Sequence, residues 1–134
     1  MAMGQSTNIF TALIRTHHIT SRKKLARVKK AAALYNVNVL VRSSGSPGIM
    51  YAEGVSEVAV SSWVNTVQTL RYKDFQCTWK PAANQMRSAD QIQDGGFEEV
   101  TSVADFSGKM EQRGLGNWWR IGMGYRLSGD KPIQ

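Results

Sequence analysis

The sequence has almost no cysteine and no long apolar run, and both shortages limit its class. Cys77 is the only cysteine among 134 residues, so no intramolecular disulfide can form. No run approaches the roughly 20 apolar residues of a transmembrane helix. Residues 1–10 also lack the apolar core of a secretory signal. We therefore expect an intracellular protein of the reducing cytoplasm or nucleus that does not bind membranes.

Acidic residues are missing from the first 50 positions, although the chain as a whole contains ten. The same stretch holds eight lysines and arginines, so it accounts for the net charge of +7 and the remainder is nearly neutral. This uneven distribution of charge indicates either a solvated helix face or a surface that binds a polyanion such as RNA.

Apolar periodicity predicts an α+β fold. Strand-like and helical patterns alternate in the order βαββαβ, with strands at 9–19, 37–42, 47–53 and 73–79 and helices at 21–35 and 56–70. This order predicts a ferredoxin-like sandwich with antiparallel strand order 4-1-3-2 and both helices on one face. With 42% hydrophobic residues, the chain suits one domain over 1–134, with its core at about 9–127.

The C-terminal third predicts an additional helix and strand. Ser102 can cap a helix that carries Phe106 and Met110. The two apolar faces of the first strand predict that this helix contacts the opposite face or an edge of the sheet. Residues 118–127 are expected to form the strand, with Trp118 and Trp119 on its two faces. The glycine-rich and polar stretch 80–96 is expected to be a flexible loop, and 128–134 a tail.

Catalytic motifs are incomplete. His18-Ile19-Thr20 matches the H-x-T element of two-histidine phosphoesterases, but those enzymes need two such elements and the only other histidine is the adjacent His17. Two neighbouring strand histidines cannot face one metal ion. Neither a dinucleotide fingerprint nor a phosphate-binding G-x-x-x-x-G-K-[ST] motif occurs. We therefore predict no catalytic residue, no metal site and no cofactor.

The first helix breaks a local rule. Its first turn, Arg22-Lys23-Lys24, sets three cations against the positive end of the helix dipole, an arrangement that costs stability and marks a candidate for function. Helix N-terminal amides together with lysine and arginine side chains bind phosphate. The predicted nucleic-acid-binding residues are Arg22, Lys23, Lys24, Arg27 and Lys30, with Arg15, His18 and Arg42 as further candidates.

Several segments together resemble one family, the domain shared by the C-terminal part of the spliceosomal small nuclear ribonucleoprotein Prp-three and the C-terminal half of RWD-domain-containing protein two. The resemblance covers about residues 9–127 and rests on Thr16-His17-His18-Ile19, residues 47–54, Trp63, Leu70-Arg71-Tyr72, Phe97-Glu98-Glu99 and residues 114–124. It implies a ferredoxin-like core with a C-terminal extension and, through the splicing members, small nuclear RNA as a partner. The chain would be a free-standing copy of this domain.

Two hypotheses of function follow. The first is a non-catalytic RNA-binding module that contacts phosphates through the basic first helix, with a link to RNA processing. The alternative is a protein-interaction domain, in which the basic helix meets an acidic protein partner, or an exposed tryptophan and the 80–96 loop form the docking surface.

Overall fold

A computed structural model describes residues 8–85 and 96–125, which form one five-stranded sheet with helices on both faces. The elements are β1 (Asn8–Thr16), α1 (Arg22–Tyr35), β2 (Asn38–Arg42), β3 (Gly48–Gly54), α2 (Glu57–Thr69), β4 (Gln76–Gln85), β5 (Phe97–Val100), α3 (Val103–Gln112) and α4 (Gly116–Met123). The strand order is β4-β1-β3-β2-β5. Within it, the order 4-1-3-2 is antiparallel throughout, as predicted, and the fold is a ferredoxin-like α+β sandwich.

The two predicted helices begin where their caps place them. Ser21 Oγ accepts a hydrogen bond from the Lys24 N–H at 3.1 Å, and Ser56 caps α2 in the same way. Asn36 ends α1 in the left-handed conformation, with φ of 59°. Leu25, Val28 and Ala32 are buried on the inner side of α1. The helical period that predicted this stripe therefore also leaves the basic residues on the outer side.

The first core layer lies between the sheet and the pair α1 and α2. Trp63 is fully buried there, and its indole N–H donates to the carbonyl oxygen of Val28 at 3.4 Å. Ala12, Ile14, Met50 and the other inward side chains of β1 and β3 complete the layer.

The second core layer lies on the opposite face of the sheet, as the two apolar faces of β1 predicted. Phe106 and Met110 of α3 are fully buried against Leu13 and Tyr51 of the sheet. α4 packs on the same face, where Trp119 is 2% exposed. Both sheet faces are therefore covered within the described residues.

The predicted strand at 118–127 is wrong over residues 118–123, which belong to α4. Leu115, Trp119 and Met123 repeat every four residues and are all buried, so a helical period was present beneath the β-compatible composition. Gly124 ends the helix with φ of 81°. The additional strand is β5, which precedes α3 and pairs in parallel with β2.

Two predicted boundaries also move. β1 ends at Thr16 rather than at Ile19, so His17 and His18 lie in the connection to α1. β4 runs from Gln76 to Gln85, so the first part of the predicted 80–96 loop is strand, and residue 81 is a proline that an edge strand tolerates. Residues 86–95 of that loop and the predicted tail lie outside the described residues.

Candidate nucleic-acid interface

The outer side of α1 carries exposed cations. Lys23, Arg27 and Lys30 are exposed, and none of the three forms an ion pair with a carboxylate within residues 8–85 and 96–125. Arg22 differs, because its guanidinium donates two hydrogen bonds to Glu99, at 2.7 and 3.0 Å. Three of the five residues predicted on this helix can therefore bind an anion without first breaking an ion pair. The fourth, Lys24, contacts an aromatic ring and a backbone carbonyl.

Lys24 connects α1 to the turn that follows α2. Its ammonium lies 5.1 Å from the centroid of the Tyr72 ring and 3.5 Å from the carbonyl oxygen of Arg71. Burial raises the pKa of Tyr72 to about 12, so the hydroxyl stays neutral and the ring is an uncharged neighbour for the cation. This contact fixes the position of the turn relative to the start of α1.

A basic cleft forms where that turn meets the start of α1. It has a volume of about 190 Å³ and is lined by His18, Thr20, Ser21, Lys24, Arg71, Tyr72 and Lys73. Three of these side chains are cations and none is a carboxylate. A concave site of this kind raises the local positive potential, and its size suits a phosphate group better than a nucleoside.

Arg71 and Lys73 were not predicted as site residues. They lie about fifty positions from the start of α1, so no local pattern connects the two segments. One signal exists in hindsight: Arg71 occupies the position after the end of α2 with φ of 60°, where glycine is the usual residue. A non-glycine residue held at a positive φ is a strained backbone position, and such positions occur often at functional sites.

Two predicted residues lie elsewhere. Arg15 donates to the carbonyl oxygen of Met123 in α4 at 3.4 Å, on the sheet face opposite α1. Arg42 donates to the carbonyl oxygens of Thr101 and Pro47, at 2.9 and 3.0 Å, and so holds the β2–β3 connection against the start of α3. The structure therefore places His18 and Lys24 together in the basic cleft and places Arg15 and Arg42 outside it.

A buried polar cluster was missed altogether. The Glu53 carboxylate is fully buried and accepts hydrogen bonds from Arg113 Nε at 3.0 Å, Tyr51 Oη at 2.7 Å and Asn38 Nδ2 at 3.3 Å. Burial and the Glu53 charge raise the pKa of Tyr51 well above its ordinary range, so the hydroxyl remains a donor. With three donors on one carboxylate, the cluster is satisfied internally and fastens α3 to the sheet.

Within residues 8–85 and 96–125, aromatic side chains do not form an exposed surface on the sheet. Tyr51 is 1% exposed beneath Arg113, so it cannot stack on a base. Trp119 is buried, and Trp118 is half-buried and stacks on Trp79 with ring centroids 5.8 Å apart. The tryptophan pair thus gives little support to the docking surface considered above.

Neither a metal-ligand cluster nor a membrane-spanning helix occurs in the described part of the chain. Residues 8–85 and 96–125 contain no cluster of three histidine, cysteine, aspartate or glutamate side chains able to hold an ion. No helix within these ranges combines the length and apolarity needed to cross a bilayer.

Comparison with known proteins finds similarity among solved structures only. No protein-family model matches the chain, and no curated protein matches it. Among solved structures, it is similar to an acylphosphatase from Bacillus subtilis at 15% identity and a TM-score of 0.46. That likeness covers 69% of this chain and 98% of the acylphosphatase.

Proposed function

We propose that this protein is a non-catalytic RNA-binding module that contacts phosphates through the outer side of α1 and the basic cleft. The observation that carries the proposal is the convergence of Lys24, Arg71 and Lys73 on one small cleft at the start of α1, with no carboxylate in its lining. Backbone amides at a helix N-terminus and cationic side chains act on the same anion.

The arrangement supports a binding strip rather than an isolated point. Lys23, Arg27 and Lys30 continue from the basic cleft along α1, and they have no carboxylate partner within the described segments. Successive phosphates of one strand can be neutralised along such a row, with release of counterions. Binding that depends mainly on charge has a dissociation constant on the order of 10⁻⁴ to 10⁻⁶ M at physiological salt.

The resemblance to the Prp-three and RWD-domain-containing protein two family supports the same class of partner. On this proposal the chain acts in the nucleus or cytoplasm, with small nuclear RNA as the first RNA to test. An acidic protein segment is the competing partner, because it would meet the same cations.

Fluorescence anisotropy of a labelled single-stranded RNA, titrated at several salt concentrations, tests the proposal. We expect the RNA to bind at low salt. The logarithm of the association constant should then fall linearly with the logarithm of the salt concentration. Lys73→Gln should weaken binding and reduce the salt slope by roughly 0.7, the value for one phosphate contact of a single strand. If the labelled single-stranded RNA does not bind even at low salt, the proposal is refuted.

The matched control is Lys109→Gln, which removes one positive charge from α3, where Lys109 pairs with Glu98 at 2.6 Å. Equal effects of the two substitutions would show that net charge alone governs binding and that the basic cleft is not a site. Polyglutamate provides the second comparison. If it binds as tightly as RNA and shows the same dependence on Lys73, the acidic-protein alternative replaces the RNA proposal.

A further inference from the structure

A second, larger cleft adjoins the basic cleft. Its volume is about 620 Å³, and its lining includes Arg15, His17, Pro47, Asp74, Phe75 and Gln76. We call it the end cleft, because it lies where β1 ends and β4 begins. A volume of this size is in the range of small-molecule sites, whereas the basic cleft is too small for a nucleoside.

Consecutive residues separate the two clefts. His18 and Lys73 line the basic cleft, whereas His17 and Asp74 line the end cleft. The His17 N–H donates to the carbonyl oxygen of Lys73 at 2.9 Å, so the wall between the clefts is one backbone hydrogen bond. Because the lining residues are consecutive in the chain, with neighbouring Cα atoms about 3.8 Å apart, the two clefts are immediate neighbours.

The chemistry of the two clefts is complementary. The end cleft offers two flat rings, from His17 and Phe75, and one side-chain amide, from Gln76. Arg15 and Asp74 bring one charge of each sign to the end cleft, with Asp74 Oδ2 3.6 Å from His17 Nδ1, so its lining is not uniformly cationic as that of the basic cleft is. Rings and amides bind bases by stacking and by hydrogen bonds to base edges, whereas the cationic lining next door binds phosphate.

We infer that the end cleft is a nucleobase subsite, which takes an unpaired base of single-stranded RNA while the basic cleft holds the phosphate of the same nucleotide. This inference rests on the proposed function and sharpens it. It predicts that the module prefers unpaired nucleotides to duplex and to a sugar-phosphate backbone without bases. The covered sheet face, where Tyr51 is buried, has no part in this recognition.

The two histidines provide a matched pair of variants. His17 is partly exposed in the end cleft and His18 is exposed in the basic cleft, and neither belongs to a core layer. We expect His17→Ala to weaken binding of a single-stranded RNA about fivefold, the lower end of the range for loss of one stacking partner, and to leave binding of an abasic oligoribonucleotide of equal length unchanged. His18→Ala should weaken both oligomers by the same factor.

Anisotropy titrations of both oligomers with the wild type and the two variants provide the test, and amide NMR spectra confirm that each variant is folded. Gln76→Ala, which alters an exposed strand residue, is the second end-cleft variant should His17→Ala fail to fold. If His17→Ala and Gln76→Ala leave the ratio of the two affinities unchanged while Lys73→Gln weakens both oligomers, the base subsite is refuted and the phosphate site stands. If neither oligomer binds, the proposed function fails and the base subsite fails with it.

Discussion

The cations of α1 and those of the C-terminal segment are arranged in opposite ways. In residues 96–125, Lys109, Arg113 and Arg120 each pair with a carboxylate, at 2.6, 3.0 and 2.8 Å. Among the six cations of α1, only Arg22 forms an ion pair within the described ranges. The two regions therefore differ in whether their cations form ion pairs, and not only in the number of cations.

The difference shows what each set of charges does. Paired cations connect one element to another: Arg113 joins α3 to β3, and Lys109 joins α3 to β5. An exposed cation without a partner contributes little to stability and raises the surface potential. Removing a paired cation of the C-terminal segment should therefore lower stability, whereas removing an unpaired cation of α1 should weaken binding without lowering stability.

The largest effect is expected at the buried pair. Glu53→Gln leaves Arg113 with 14% of its side chain exposed and without a counter-charge, so the free energy of unfolding should fall by about 3 kcal/mol. Urea denaturation measures it. Glu111→Gln breaks the more exposed pair with Arg120 and should cost less than about 1 kcal/mol. Similar losses in the two variants would contradict the distinction between buried and exposed pairs.

A gain in stability with a loss of binding is expected at Arg71. Glycine adopts a positive φ without the steric cost that arginine incurs, so Arg71→Gly should raise the free energy of unfolding by about 1 kcal/mol. The same change removes a cation from the basic cleft and should weaken RNA binding. Arg71→Asn is the control, because asparagine tolerates the conformation and also removes the charge. A variant that gains stability and binds RNA undiminished would remove Arg71 from the site.

Smaller gains are expected at the first turn of α1. Lys23→Glu replaces an exposed cation beside the positive end of the helix, which should add about 0.5 kcal/mol. By the rules of helix capping, Lys24→Glu should add about 0.5 to 1 kcal/mol, because a glutamate three residues after Ser21 completes a capping box. The structure shows that this change also removes the Lys24–Tyr72 contact, which offsets about 0.5 to 1 kcal/mol.

Thermal unfolding of both variants measures the difference. We now expect Lys23→Glu to be the more stable of the two and both to bind RNA less tightly than the wild type. A larger gain from Lys24→Glu would mean that the contact with Tyr72 contributes nothing in solution.

The smallest effect concerns pH. Hydrogen bonds from Arg22 and Ser43 lower the pKa of Glu99 below its ordinary value of 4.5. A carboxylate whose folded-state pKa is lowered stabilises the protein fully above the unfolded pKa, and this stability is lost as pH falls through the folded value. The free energy of unfolding of Glu99→Gln should therefore fall less than that of the wild type as the pH drops below about 4.5. Urea denaturation at a series of pH values measures the difference.

The same variant tests the one paired cation of α1. Without Glu99, Arg22 becomes available, so Glu99→Gln should bind RNA slightly more tightly at neutral pH. In an Arg22→Gln background the change in affinity should disappear, because no cation is left to release. An increase that persists there would point to the net charge instead.

Periodicity and caps predicted the parts of the fold that depend on local sequence. The helical period predicted α1 and α2, which begin after the caps Ser21 and Ser56, and the same period buries Trp63 in the core. α4 was missed because adjacent tryptophans favour a strand by composition, while the period of Leu115, Trp119 and Met123 spans only two turns.

The candidate site was predicted in part. The cations of α1 stand together in the sequence and were predicted from it. Arg71 and Lys73 lie beside Lys24 in the basic cleft only because α2 returns the chain to the start of α1. The Glu53–Arg113 pair joins residues sixty positions apart, so only tertiary structure shows it.

The outer strands of the sheet also bear on the behaviour of this protein at high concentration. β4 and β5 are the two edges of the sheet that residues 8–85 and 96–125 form, and the unpaired backbone groups of an edge invite intermolecular pairing and aggregation. Pro81 interrupts the row of donors on β4 next to the charged Lys80, and β5 is four residues long with two glutamates. Proline, charge and short length are the means by which natural sheets avoid joining edge to edge. Under the proposed function, one RNA strand would concentrate many copies of this protein along its length, and such protection would then keep their sheets from joining.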